Sequence, residues 1–151
     1  MPTATITFNL PAAPSRIVDL LKDPKFLASN IPQVVGVEPR SATTATWLVE
    51  IKLGPLTRRT EFQGELLDAT ESRVRFAARG ADATIEGQID LAPQDFQTTA
   101  LTLRLDMTGA GPLRVVIDGY LKRRVQGDAE AFASSLTKHL AESPPPPSSI
   151  S

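Results

Sequence analysis

The stretch that most constrains the fold is Pro112–Leu140, PLRVVIDGYLKRRVQGDAEAFASSLTKHL, which reads as one long helix near the end of the chain. A proline opens it, where the N–H it lacks would have had no intrahelical partner. At 1.5 Å per residue such a helix spans roughly 40 Å, so the rest of the chain must offer a surface of that length. Leu113, Val116, Ile117 and Tyr120, then Leu121, Val125, Ala129, Phe132, Leu136 and Leu140, recur at threes and fours, as a buried face requires. At about 100° per residue, the earlier set sits roughly 90° around the axis from the later one. Gly119 falls between them and marks a bend or a close contact, because a glycine inside a helix costs about 1 kcal/mol against alanine. Two readings stand: a helix lying obliquely across a twisted sheet, or one whose later half closes the core while Ile117 to Leu121 wall a cavity.

The surface it needs is a sheet. Thr3 to Leu10 alternates apolar and polar residues, as a half-buried strand does, and Pro11 ends it. Two short helices follow, at Pro14 to Lys22 and around Lys25 to Ser29, separated by Asp23-Pro24. From Val34 to Met107 come six strands, approximately Val34–Pro39, Thr43–Leu53, Leu56–Leu67, Arg73–Ala81, Ala83–Leu91 and Thr98–Met107. Turns fall at Gly54-Pro55, Asp68 to Ser72, Gly80 to Asp82 and Ala92 to Gln97. Val74, Phe76 and Ala78 oppose Arg73, Arg75 and Arg79, and Leu101, Leu103, Leu105 and Met107 oppose Thr102, Arg104 and Asp106, so one face is dry and the other wet. Short connections make neighbours antiparallel. The class is α+β: a seven-stranded curved antiparallel sheet covered by the long helix and two short ones.

Composition bounds what such a domain does. The 151 residues suffice for one domain with a real core, here expected over residues 1–141, with 142–151 a Pro/Ser-rich tail. A formal charge of −1 and basic residues without interleaved aromatics argue against nucleic acid. There is no cysteine, and the single histidine, His139, has no partner set of metal-ligand spacing, so neither a metal nor a cofactor is called for. No segment approaches a membrane span and no leader pattern opens the chain, which reads as cytoplasmic.

Three stretches carry a family resemblance: LPAAPSRIVDLLKDPKFLASNIPQVVGVEP at Leu10–Pro39, IKLGP at Ile51–Pro55, and F-x-G at Phe62–Gly64. With the element order, they resemble the START-like helix-grip superfamily, also called SRPBCC, and within it the CoxG family of carbon monoxide dehydrogenase accessory proteins. The approach to the last helix keeps only Gly109-Ala110-Gly111 of that family's small-residue run, and the helix is richer in arginine. The resemblance implies a non-catalytic accessory protein of molybdenum-containing hydroxylases, tied to membrane recruitment and to carrying quinone-like molecules, with an apolar cavity between sheet and helix.

The residues divide accordingly. Phe62, Phe76, Met107, Ile117, Tyr120 and Leu121 are the expected lining for an apolar ligand, a quinone or lipid, with the Tyr120 hydroxyl as a polar point. Arg58 shares the phase of Phe62 and either meets a ligand carbonyl or carboxylate or reaches solvent at the rim. Gly64 and Gly87, on the dry phase, either bend the sheet or leave room beneath the helix. Lys122, Arg123 and Arg124 are either a solvated face or a docking surface for an acidic partner or an anionic membrane. Asp128 lies at the edge of the apolar stripe one turn after Arg124, spaced for an ion pair. No catalytic constellation emerges, so the readings are a carrier, an assembly or membrane-docking factor, and a START-like enzyme on a hydrophobic substrate, the last requiring a polar pair inside the cavity.

Overall fold

The computed structural model describes residues 3–53, 55–81, 83–112 and 114–142. Strand β1 (Thr3–Leu10) leads into α1 (Pro14–Leu21) and α2 (Pro24–Ser29), then β2 (Val34–Pro39), β3 (Thr44–Leu53), β4 (Leu56–Ala69), β5 (Arg73–Arg79), β6 (Ala83–Asp95), β7 (Thr98–Gly109) and the long α3 (Arg114–Glu142). The strands form one seven-stranded sheet in the order β1-β7-β6-β5-β4-β3-β2, every pair antiparallel. Both short helices start on a proline, and the Asp23 carboxylate caps α2 by accepting from the Lys25 N–H at 3.0 Å.

The strand phases place the core as expected. Leu66, Phe76, Gly87, Leu105 and Ala4 form one inward row across five strands, and Ala69, Val74, Ile89, Leu103 and Ile6 the next. Three strands run longer than expected, β7 by two residues and β4 and β6 because bulges interrupt the period. In β4 the register shifts between Leu66 and Asp68, turning Leu67 outward to 46% exposure, and β6 shifts between Pro93 and Asp95. The Ser143–Ser151 part of the expected tail, Leu113, and the turn residues Gly54 and Asp82 lie outside the described residues, while Glu142 still belongs to α3.

The expected division of α3 does not hold. Val116, assigned to the early apolar face, is 56% exposed and Val115 is 79% exposed, whereas Ile117, Tyr120 and Leu121 continue into Val125, Ala129, Phe132, Leu136 and Leu140 as one buried stripe. A side chain at Gly119 would meet only the end of Arg123 at 3.9 Å, so that glycine marks no close approach. One stripe suffices because α3 packs on β7 and β1, while α2 covers β2, β3 and β4 at the other side of the sheet. The roof is therefore shared by α3 and α2, with α1 reaching β6 near the centre of the sheet between them.

Candidate functional site

At that centre the sheet is roofed by aromatic rings seated on glycines. An ideal Cβ on Gly64 would lie 2.2 Å from Nε1 of Trp47, one on Gly80 2.5 Å from Cδ1 of Phe62, and one on Gly87 2.2 Å from Cζ of Phe76. All three rings are buried, Trp47 and Phe62 face each other across β3 and β4, and the Trp47 and Phe76 ring centres are 6.3 Å apart. Gly64 and Gly87 thus do leave room on the dry face, and neighbouring strands fill it with their own side chains. Trp47 is absent from the expected lining, although its place between Ala45 and Val49 on the inward phase carries the signal. What the sequence lacks is the register that sets it over Gly64.

Two openings meet on this floor. A surface groove of about 610 Å³ runs between the α1–α2 turn, with Lys22, Asp23 and Pro24, and the β2–β3 turn, with Pro39, Ser41 and Thr43; Leu66 and Ala69 form its base. Beneath it lies a void of about 10 Å³ bounded by Leu27, Trp47, Gly64 and Phe76, and it shares Pro24 and Leu66 with the groove. That void holds one water at most. Met107, Ile117, Tyr120 and Leu121 line neither opening and are buried in one apolar cluster with Phe62 and Phe76.

Arg58 is not among them. Its phase is inward, opposite Ile51, but it stands near the start of β4 and is exposed at the rim, so it is not a buried guanidinium. Lys122, Arg123 and Arg124 are exposed on α3, and Arg124 is engaged with Asp128 at 3.6 Å. Among the described residues no helix is long and apolar enough to cross a membrane.

Asp128 is the buried charge of the molecule among the described residues, 2% exposed, and its carboxylate accepts a hydrogen bond from the amide of Gln33, itself buried in the segment before β2. The same Gln33 amide lies 3.8 Å from the Met107 sulfur. Burial pushes the Asp128 carboxyl above the ordinary aspartate range, and the Gln33 hydrogen bond and the Arg124 charge offset this only in part. A polar pair therefore does sit inside the molecule, supplied by α3 and the α2–β2 connection rather than by the strands. Gln33 gives no sequence signal, since a polar residue outside any periodic run reads as surface. Further along the same seam, the Ser135 hydroxyl donates to Asn30 at 2.5 Å and the His139 ring packs 4.8 Å from that of Phe26.

A family model described as polyketide cyclase / dehydrase and lipid transport matches residues 1–141. The chain belongs to that family. Among solved structures, a conserved protein from Geobacillus kaustophilus is similar at 17% identity, with a TM-score of 0.72 and coverage of 93% of this chain and 95% of the other. A START superfamily protein from Mycobacterium smegmatis is similar at 15% identity and TM-score 0.70, over 93% and 97%. The ZhuI aromatase/cyclase from Streptomyces sp. R1128 is similar at 13% identity and TM-score 0.58, over 89% and 92%. At these identities the likeness is one of fold, and the fold is the START-like helix-grip that the sequence resemblance implied. No curated protein matches the chain.

Proposed function

We propose that this chain is a non-catalytic carrier for an apolar small molecule, of quinone or lipid type, that enters through the Pro24–Leu66 groove and displaces the aromatic floor. The observation carrying this reading is that a groove of about 610 Å³ ends on a void of about 10 Å³ bounded by two rings that rest on glycines. Uptake then proceeds by populating a ring-displaced conformation, so the apparent affinity is the intrinsic one scaled by that population. Membership of a family described by lipid transport as well as cyclisation agrees with an apolar ligand. The Gln33–Asp128 pair is engaged with itself, Arg124 and Met107, which favours a structural role over a catalytic one.

Trp47 is the only tryptophan, so its emission reports the floor directly. Titration with decylubiquinone and with a fatty acid, paired with native mass spectrometry of freshly purified protein, tests the proposal. Saturable quenching or a bound mass is the expected result. A protein that emerges empty and is quenched only linearly refutes it.

The narrower role proposed, accessory to a molybdenum-containing hydroxylase of the carbon monoxide dehydrogenase type, rests on the Leu10–Pro39 motif and on the exposed cationic face of Lys122 and Arg123. Co-purification with such an enzyme, lost on Lys122→Glu with Arg123→Glu while ligand binding persists, supports it. A docking factor without ligand retains the partner but shows no saturable quenching. Turnover of an apolar substrate that Asp128→Asn abolishes without loss of binding would establish the enzyme reading instead.

A further inference from the structure

The sheet has two edges, and they are built differently. β2 is short, shifts register between Val34 and Gly36, and ends on Glu38 and Pro39, so it carries a bulge, a charge and a residue without an N–H. Each of these opposes the addition of another strand. β1 has none of them. Its eight residues, TATITFNL, pair with β7 without a break and contain no charge, proline or glycine, and residues 4–10 leave the main-chain groups of their other side unpaired by any strand among the described residues. On its inner face Ile6 and Phe8 are only partly buried, which leaves apolar surface at an open edge.

We propose that β1 is a self-association edge at which two copies join antiparallel into a continuous sheet. The occupant follows from charge. In a two-fold contact each side chain lies near copies of the same strand's residues, so any single-signed pattern on the edge repels itself. An edge with no charge escapes that penalty, whereas one shaped for a different partner has no reason to avoid it. Matching the inner faces requires one residue to face its own copy. With Ile6 on the axis, Ala4 lies opposite Phe8, Thr5 opposite Thr7 and Thr3 opposite Asn9, setting the smallest inner side chain against the largest.

Light scattering after size exclusion at about 100 µM should give twice the 16.2 kDa chain mass. Thr5→Glu with Thr7→Glu should return the monomer mass with unchanged circular dichroism. The carboxylate introduced by Thr5→Glu faces Arg104 within the chain, so the fold gains a favourable pair while the edge gains self-repulsion. As a second measurement that does not depend on this variant, Thr5→Cys with Thr7→Cys in a chain without cysteine should form a covalent dimer on mild oxidation. A monomeric wild type overturns the proposal, including the case in which the edge takes a strand from another protein. So does a glutamate variant that remains dimeric, or the absence of the disulfide-linked dimer.

Discussion

The contact between Trp47 and Gly64 gives the sharpest test of the aromatic floor. In Gly64→Ala the new methyl would stand 2.2, 2.6 and 2.9 Å from Nε1, Cε2 and Cδ1 of the indole, against about 3.5–4 Å for an ordinary carbon contact. The ring must move by more than about 1 Å, and the adjoining void of about 10 Å³ is too small to receive it. Overpacking of this kind costs about 1–3 kcal/mol, and replacing glycine restores about 0.4–1 kcal/mol through the unfolded chain. The net expectation is a loss of about 1–2 kcal/mol, or about 2–8 °C in Tm for a domain of this length. Trp47→Val removes the Nε1, Cε2 and Cδ1 atoms that the methyl strikes, so in that background Gly64→Ala should be neutral or stabilising, with a coupling of about 1–2 kcal/mol. Urea denaturation of the four proteins, followed by far-ultraviolet circular dichroism because one background lacks the fluorophore, measures both numbers. Additive losses, or a Gly64→Ala protein as stable as wild type with unaltered Trp47 emission, would show that the ring does not rest on that glycine.

Other expectations follow from the same packing. Gly87→Ala should destabilise like Gly64→Ala, since Phe76 lies 2.2 Å from the added methyl, whereas Gly36→Ala, whose nearest neighbour is 3.5 Å away, should be tolerated within about 0.5 kcal/mol by chemical denaturation. Leu136→Ala, in the middle of the buried stripe of α3, should cost about 2–5 kcal/mol by the same measurement. For Asp128 the folded pKa is raised, so the folded state binds more protons than the unfolded one and its contribution grows as pH falls from neutral toward the ordinary aspartate value near about 3.9. Subtracting the stability of Asp128→Asn from that of wild type across this range should leave a difference that rises with acidity. A flat difference would place the Asp128 carboxylate in solvent.

Alternation at twos exposes the inward rows of most strands, β2 with its register shift excepted, and turn residues fix their order, so the layer architecture is legible in the sequence. The bulges at Leu67 and near Gln94 are not, because a bulge is an accommodation to the neighbouring strand and leaves no periodic mark of its own. The two-faced reading of α3 fails for a related reason. Val115 and Val116 look like core residues by type, but the helix packs chiefly on β7 and β1 and both valines fall outside the one stripe it buries. The burial of Phe62, Phe76 and Met107 is legible because each lies within a clean alternation. Arg58 stands exposed at the rim, the second of its two sequence readings, because phase says which face a residue occupies and nothing about distance from the end of a strand. Gln33 and the pairing of Trp47 with Gly64 depend on register between segments far apart in sequence, which one strand's pattern does not contain.

The seam between α3 and the segment from Phe26 to Gln33 sets the freedom of the roof. Its three contacts run in opposite chain order, Gln33 to Asp128, Asn30 to Ser135 and Phe26 to His139, like teeth cut at matched intervals on two racks. Sliding α3 by one turn would misalign all of them at once and leave the Asp128 charge buried without its Gln33 donor. Rolling about the seam keeps every tooth engaged. Any widening of the interior that admits a guest is therefore angular, with the Phe26–Gln33 segment as its axle and the β1 side of the helix as the part that swings.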